Sequence, residues 1–242
     1  MVKINYYNVN IFVFLFLYTA SSIYAKLDDL SEIALKFNTD KNYLHNYTPV
    51  YDFYFNKMRN SILKFLEIGY YRGESARTWQ EYFPNATLHF IDIDPNSFKL
   101  HSHGISKERC KFHLVDQGNE ESLKKFAEEV KGDFDIIIDD GGHTMKQQIL
   151  SFKVLFPLLK SGGIYVIEDL HTSYWPAYIQ GHPETCIDFL KRLADDVNFI
   201  AAQTGSADIQ KIPEAIKQKA NFYQLSIKSL HFYSGICFIV KN

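Results

Sequence analysis

Short apolar runs alternate with longer amphipathic segments along most of the chain. Leu63–Ile68, Leu88–Ile93, Lys111–Val115, Phe134–Ile138 and Ile164–Ile167 have the length and content of buried strands. The fourth carries three consecutive isoleucines, which are hard to place outside a buried sheet. Between these runs, Glu74–Phe83, Glu120–Val130 and Met145–Leu159 read as helices, the first stopped by Pro84. Ser161-Gly162-Gly163 reads as the turn into the fifth strand. Before the first strand, residues 27–37 space Leu27, Leu30, Ile33 and Leu35 for one helical face. Asn38-Thr-Asp-Lys-Asn42 breaks that pattern, and an aromatic-rich helix over Tyr47–Met58 follows. Near the C-terminus the alternation gives way to two β-rich runs, Leu225–Tyr233 and Gly235–Val240, which flank Ser234-Gly235, a hairpin signal. The pattern predicts an α/β fold, a mostly parallel sheet covered by helices on both faces and closing on a C-terminal antiparallel hairpin.

The first 25 residues differ in kind. Lys3 precedes an apolar stretch from Ile11 to Ala20, and small residues lead to Ala25. This reads as a signal peptide or short membrane anchor, with Ile23 an imperfect fit to a cleavage site. Export or membrane attachment through this segment is therefore expected, against a cytoplasmic alternative. The rest of the 242-residue chain has room for one α/β domain. Apolar residues at 46% suffice for a full core. With 26 Lys and Arg against 28 Asp and Glu there is no basic footprint for nucleic acid. Three cysteines, Cys110, Cys186 and Cys237, without CxxC spacing argue against a disulfide framework and a structural zinc site; Cys237 sits in an apolar run and is expected in the core. A homo-oligomer stays open.

In an open parallel sheet ligands bind beyond the carboxyl ends of the strands. The first strand runs into Gly69 and Gly73, which let the backbone turn tightly near a ligand or simply join strand to helix. Their Gly-x-x-x-Gly spacing is neither that of dinucleotide binders nor a Walker loop. The second strand ends at Asp92, about 20 residues beyond the glycine turn, the offset at which a carboxylate can accept from two ribose hydroxyls. Asp94 then caps the next helix. The third ends in Asp116-Gln117, where a side-chain oxygen would accept from an adenine amino group. Taken alone, Asp116 fits an N-cap better.

Glu67-Ile-Gly-Tyr-Tyr-Arg-Gly73, Asp92 and Asp116-Gln117 resemble the successive S-adenosylmethionine (SAM) motifs of class I methyltransferases. Within that class the chain resembles the metal-dependent sugar O-methyltransferases of macrolide and related antibiotic pathways. Asn38-Thr-Asp-Lys41, His45-Asn-Tyr-Thr-Pro49, Asp139-Asp-Gly-Gly-His143 and Glu168-Asp-Leu-His-Thr-Ser-Tyr-Trp175 carry that resemblance, which runs from about residue 30 to the end. It implies a Rossmann-like, seven-stranded methyltransferase domain over residues 61–242, with residues 26–60 helping to close the cofactor pocket. Glu67, Gly69, Tyr71, Gly73 and Ser75 would hold SAM together with Asp92, Asp116, Gln117 and Asp139. Asp140, Glu168 and Asp169 would hold Mg²⁺ or Mn²⁺, and His143 would be the general base.

The chemistry is coherent with those residue types. Carboxylate oxygens are the ligands Mg²⁺ prefers, and waters it keeps can be replaced by a diol. An alcohol attacks a sulfonium carbon only when its proton leaves, and an imidazole with an ordinary pKa of about 6.5 is suited to accept it. The aromatics after the second motif, Tyr174, Trp175 and Tyr178, would stack on a small hydroxylated acceptor such as a sugar, or form a flap over the core. The competing readings are a dehydrogenase or hydroxylase-like enzyme on the same fold, and a SAM-binding domain without turnover. The glycine spacing and the lack of a Tyr-x-x-x-Lys pair count against the dehydrogenase.

Overall fold

The computed structural model describes residues 27–206, 208 and 211–242, so the leader-like segment lies outside the described residues. Three helices come first: α1 (Asp29–Phe37), α2 (Asp40–Tyr43) and α3 (Thr48–Phe55). Then β1 (Lys64–Ile68), α4 (Glu74–Tyr82), β2 (Thr87–Asp92), α5 (Pro95–His101), β3 (Cys110–Leu114), α6 (Glu120–Val130), β4 (Phe134–Asp139), α7 (Met145–Leu155) and β5 (Leu159–Ile167) alternate. The chain ends with α8 (Pro176–Ile179), α9 (Cys186–Thr204), α10 (Glu214–Lys217), α11 (Phe222–Ser226) and the hairpin β6 (Ile227–Tyr233) and β7 (Ile236–Lys241).

One seven-stranded sheet results, in the order β3-β2-β1-β4-β5-β7-β6. The first five strands are parallel, and β7 inserts antiparallel between β5 and β6. The direction of the chain reverses about β1, so the carboxyl ends of β1 and β4 diverge and open the crevice of such sheets. Alternate residues of each strand enter two cores. Leu66, Ile137, Tyr165 and Ile167 pack with Phe126 of α6, Phe152 of α7 and Leu190 of α9. Phe65, Ile136, Ile138 and Val166 pack with Leu30 of α1, Tyr51 and Phe55 of α3 and Trp79 of α4. Ile136, Ile137 and Ile138 are fully buried, which accounts for the unbroken apolar run; each such side chain contributes about 1.5–3 kcal/mol by transfer.

Local chemistry sets the boundaries. Asp28 caps α1 by accepting from the Ser31 amide, and Asp94 caps α5 by accepting from the Asn96 amide. A reciprocal Thr144/Gln147 capping box starts α7. Asp116 does not cap α6; Asn119 does, while Asp116 Oδ1 accepts from the Gly118 amide. The helix expected to run to Leu159 ends at Leu155, because Pro157 follows and a 3₁₀ turn (Phe156–Leu158) leads out. The strand after it starts at Leu159 and runs through Gly162 and Gly163, with an irregular register against β4 between Phe134 and Ile136. The break after α1 contains α2. All three cysteines are free and buried. Among the described residues no helix is long and apolar enough to cross a membrane.

Candidate active site

The strand ends and the N-terminal helices converge on one crevice. Gly69 follows β1 at φ +92°, and its amide donates to Ile91 O at 2.9 Å. A side chain there would run into the Asp140 carbonyl, so the turn needs glycine. The next two amides, of Tyr70 and Tyr71, donate to Asp92 Oδ2 at 2.9 and 3.0 Å, and the Asp94 amide donates to Oδ1 at 2.8 Å. Three backbone donors thus fix Asp92 and leave the carboxylate acceptor capacity for something in the crevice.

A cavity of about 440 Å³ lies beside this turn, lined by Gly69, Tyr71, Asp92, Asp116, Gln117, Asp140, Gly141, Gly142 and His143. Asp40 of α2 lines it too, so the N-terminal segment reaches its wall. A second cavity, of about 300 Å³, shares Asp40, Gly69, Tyr71 and Asp140 with it and adds Ser75 and Arg72. Gln117 spends both ends of its amide on the scaffold: Nε2 donates to Asp139 Oδ1 at 2.7 Å, and Oε1 accepts from the Gly142 amide at 2.9 Å. Gly73 opens α4 in the left-handed region, φ +71°. Glu67 and Asp139, expected at the cofactor, line neither cavity. Glu67 is fully buried and accepts from Trp79 Nε1 at 3.1 Å and Ser75 Oγ at 2.8 Å. Burial pushes its carboxyl up to about 7 against the pull of Lys41. Asp139 is also fully buried, and burial pushes it up to about 8; its Oδ2 has no hydrogen-bond partner among the described residues.

At the ends of β4 and β5 the side-chain oxygens of Asp140 and Asp169 and a ring nitrogen of His143 lie within 4.8 Å of one another. His143 Nε2 is 3.6 Å from Asp169 Oδ2 and 4.0 Å from Asp140 Oδ1. Its Nδ1 is buried without a hydrogen-bond partner among the described residues. His143 and Asp169 both adopt left-handed backbone, φ +58° and +54°, so tight turns aim these two side chains at each other. Two carboxylates and a partly exposed imidazole form a donor set that fits a divalent ion with open coordination positions.

Glu168, expected beside Asp140 and Asp169 as a ligand, stands outside this group. Tyr51 of α3 donates to its Oε1 at 2.5 Å, and Lys41 of α2 donates to the same oxygen at 2.7 Å. Lys41 is fully buried; its ammonium also pairs with Asp140 Oδ2 and lies 3.4 Å from Glu67 Oε1. Burial works against its charge, but the three carboxylates outweigh burial and hold its pKa above the ordinary lysine range. Burial and the neighbouring Asp140 hold Glu168 well above the carboxylate range. From the same N-terminal segment, the Tyr47 hydroxyl is 3.1 Å from Asp169 Oδ1, and the His45 ring stacks on that of Tyr47 at 5.0 Å. The sequence hides the roles of Lys41, Tyr47 and Tyr51, since a lysine in a helix break and tyrosines in an aromatic run carry no sign of which distant strand end they meet. Beyond β5, His171 packs edge-on to Trp175 at 4.7 Å and Trp175 lies 5.8 Å from Tyr178, with Tyr174 and Trp175 exposed.

The strand order, the glycine turn with its paired acid and the acidic strand ends are those of a class I methyltransferase fold, and residues 66–170 match the family model described as a methyltransferase domain. Over 227 residues the chain is 33% identical to the mycinamicin VI 2''-O-methyltransferase of Micromonospora griseorubida, covering 88% of this chain and 53% of that protein. It is 32% identical over 223 residues to the 8-demethyl-8-alpha-L-rhamnosyl tetracenomycin-C 2'-O-methyltransferase of Streptomyces olivaceus, covering 88% of this chain and 54% of that one. Among solved structures, MycE methyltransferase from the mycinamycin biosynthetic pathway, in complex with Mg, SAH and mycinamycin VI, is 33% identical. It superposes with a TM-score of 0.70 over 90% of this chain and 55% of that one. The chain thus spans about half the length of the relatives it matches.

Proposed function

We propose that the chain is a SAM-dependent, divalent-metal-assisted O-methyltransferase whose acceptor is a hydroxyl of a sugar or similar small molecule. The observation that carries this reading is the meeting of Asp169 with Asp140 and His143, which line the same cavity as Asp92 and the Gly69 turn. SAM in that cavity would supply the methyl carbon, with its ribose on Asp92 and its adenine beside Asp116. A metal on Asp140 and Asp169 would supply Lewis-acid polarisation of the acceptor hydroxyl. The protein's own contributions are then three. Asp140 and Asp169 fix where the acceptor oxygen sits. His143 takes the hydroxyl proton on Nε2, for which Asp169 at 3.6 Å compensates the developing imidazolium. Trp175 and Tyr174 offer exposed rings against which the face of a sugar can stack. General-base assistance of this kind is worth about 10² to 10⁴ in rate.

The sugar O-methyltransferases to which the chain is similar, and the Mg and SAH held by MycE, support this reading. It is tested by titrating SAM into the chain with and without Mg²⁺, and repeating with Asp92→Ala. Micromolar binding lost in the variant is expected; no binding by a folded wild-type protein would sink the reading. Product formation is then followed with hydroxylated sugars and glycosides. Binding without turnover on any of them would favour a SAM-binding domain that has no transfer activity. The leader-like pattern of residues 1–25 supports export or attachment through the N-terminus, which N-terminal sequencing of the mature chain tests.

A further inference from the structure

Lys41 is buried to 2% exposure and has no part in the chemistry above. Its surroundings are those of a cation site. Asp140 Oδ2, Glu168 Oε1 at 2.7 Å and Glu67 Oε1 at 3.4 Å wall it on three sides. Asp140 is shared between two positions. Its Oδ2 faces Lys41, while its Oδ1 faces His143 on the side of Asp169. A divalent ion seated on Asp140 and Asp169 therefore lies one carboxylate away from a buried ammonium that repels it.

We propose that the Lys41 ammonium is the tethered occupant of a second cation position, walled by Glu67, Asp140 and Glu168, and that it competes with a divalent ion for Asp140 and Glu168. The proposal rests on the reading that the neighbouring Asp140–Asp169 pair takes such an ion. While Lys41 is seated, Glu168 is withheld from the metal and Asp140 is half committed. When the ion takes these oxygens, Lys41 retreats toward Glu67, which Trp79 and Ser75 hold in place. Lys41 is on α2 directly after Asp40, which lines the cavity, and its carbonyl accepts from the Tyr47 amide at 2.8 Å. Displacing the ammonium thus moves the segment that borders the cavity and carries Tyr47 to Asp169. Metal occupancy and the position of the N-terminal segment are two readings of one equilibrium, and each ligand shifts it by its differential affinity.

The test is a calorimetric titration of Mn²⁺ into the full chain, with and without SAH, for wild type, Lys41→Met and Lys41→Gln. Removing the competing charge is expected to tighten Mn²⁺ binding by about tenfold or more. It should also enlarge the rise in Tm that Mn²⁺ produces, because the metal replaces a missing counter-charge. Affinity in the folded variants that is equal to or weaker than wild type overturns the competition while leaving the metal reading intact. No binding to wild type or to either variant overturns both. Should neither variant fold, hydrogen exchange of wild-type amides 40–51 decides: a change in protection on adding Mn²⁺ supports the displacement, and unchanged protection with metal bound overturns it.

Discussion

The turn at Gly69 offers the most direct check on how the site is built. A Cβ added there would overlap the Asp140 carbonyl oxygen outright and stand 2.9 Å from its carbon and 3.2 Å from Gly141 Cα. All three are backbone atoms, so no flexible side chain can swing away. The Asp140 amide meanwhile donates to Ile68 O at 3.0 Å, which ties that loop to the end of β1. Relief to ordinary contact distance requires a shift of about 1 Å in the loop that carries Asp140 and His143. The φ of +92° adds about 1–2 kcal/mol for any residue with a Cβ. Gly69→Ala should therefore destabilise by about 3–4 kcal/mol. Gly104→Ala is the control: its φ is +77°, but no described atom lies within 4 Å of the added methyl, so it should lose only about 1 kcal/mol. Urea unfolding of the two variants separates backbone strain from collision. A misplacement of about 1 Å at reacting groups can also cost about 10²-fold in rate, so Gly69→Ala should lose cofactor affinity and activity even where it is fully folded. Stability within about 0.5 kcal/mol of wild type, together with unchanged SAM binding, would show that β1 and the Asp140 loop do not meet as described.

Other variants probe separate links. Tyr51→Phe removes the 2.5 Å hydrogen bond to buried Glu168 and should cost about 1–3 kcal/mol by thermal or urea unfolding; a neutral result would mean that Lys41 alone satisfies Glu168. Gln117→Leu takes the partner from the Gly142 amide and leaves Asp139 Oδ1 only the 3.4 Å bond from the Gly141 amide, and should weaken SAM binding through the loosened loop, read by titration; wild-type affinity would show that this loop is held from elsewhere. His89, stacked on His113 beside Phe134, is pushed down to about 4 by burial and by its positive neighbours. Its folded state disfavours the charged ring, so stability is full above the ordinary histidine pKa and is lost as pH falls from about 6.5 toward 4. Between pH 7 and pH 5 that loss should be about 1–2 kcal/mol, allowing for partial screening, and His89→Gln should lose less over the same range in urea titrations. Equal losses would place the acid sensitivity in other groups.

The sheet was legible because each strand is either a continuous apolar run or ends in an acid or glycine at a spacing that a crossover requires. Ile136-Ile137-Ile138 and the Ser234-Gly235 hairpin are the plainest cases. The longest helix among the described residues, Cys186–Thr204, is hidden in the sequence although Thr185 caps it and Gly205 closes it, because Pro176, Gly181 and Pro183 signal an irregular stretch that ends just before it. Local signals also fail wherever a polar side chain is spent on a distant partner. A carboxylate at a strand end is equally suited to solvent, cofactor or a buried cation, and only the fold decides. Glu67 went to Trp79, Ser75 and Lys41, and Glu168 to Tyr51 and Lys41. Lysine is almost never fully buried unless paired, and the sequence does not say which distant carboxylates pair with Lys41.

The backbone at the reaction centre constrains how its chemistry can be tested. Tyr71, His143 and Asp169 all sit in the left-handed region, at φ +47°, +58° and +54°. Such positions cost about 1–3 kcal/mol and persist where the surroundings over-determine them. Asparagine, aspartate and histidine tolerate this conformation better than other residues with a Cβ. Alanine at 143 or 169 would therefore change the turn as well as the chemistry. Asp169→Asn and His143→Asn keep a residue suited to the turn while removing the charge or the proton acceptor. If Asp169 serves the metal and His143 the proton, the first should weaken Mn²⁺ binding and the second should leave it largely unchanged while lowering turnover by about 10²-fold or more. If His143→Asn instead loses Mn²⁺ as fully as Asp169→Asn does, the imidazole is a ligand, and the base must be sought among the groups that face the same ion.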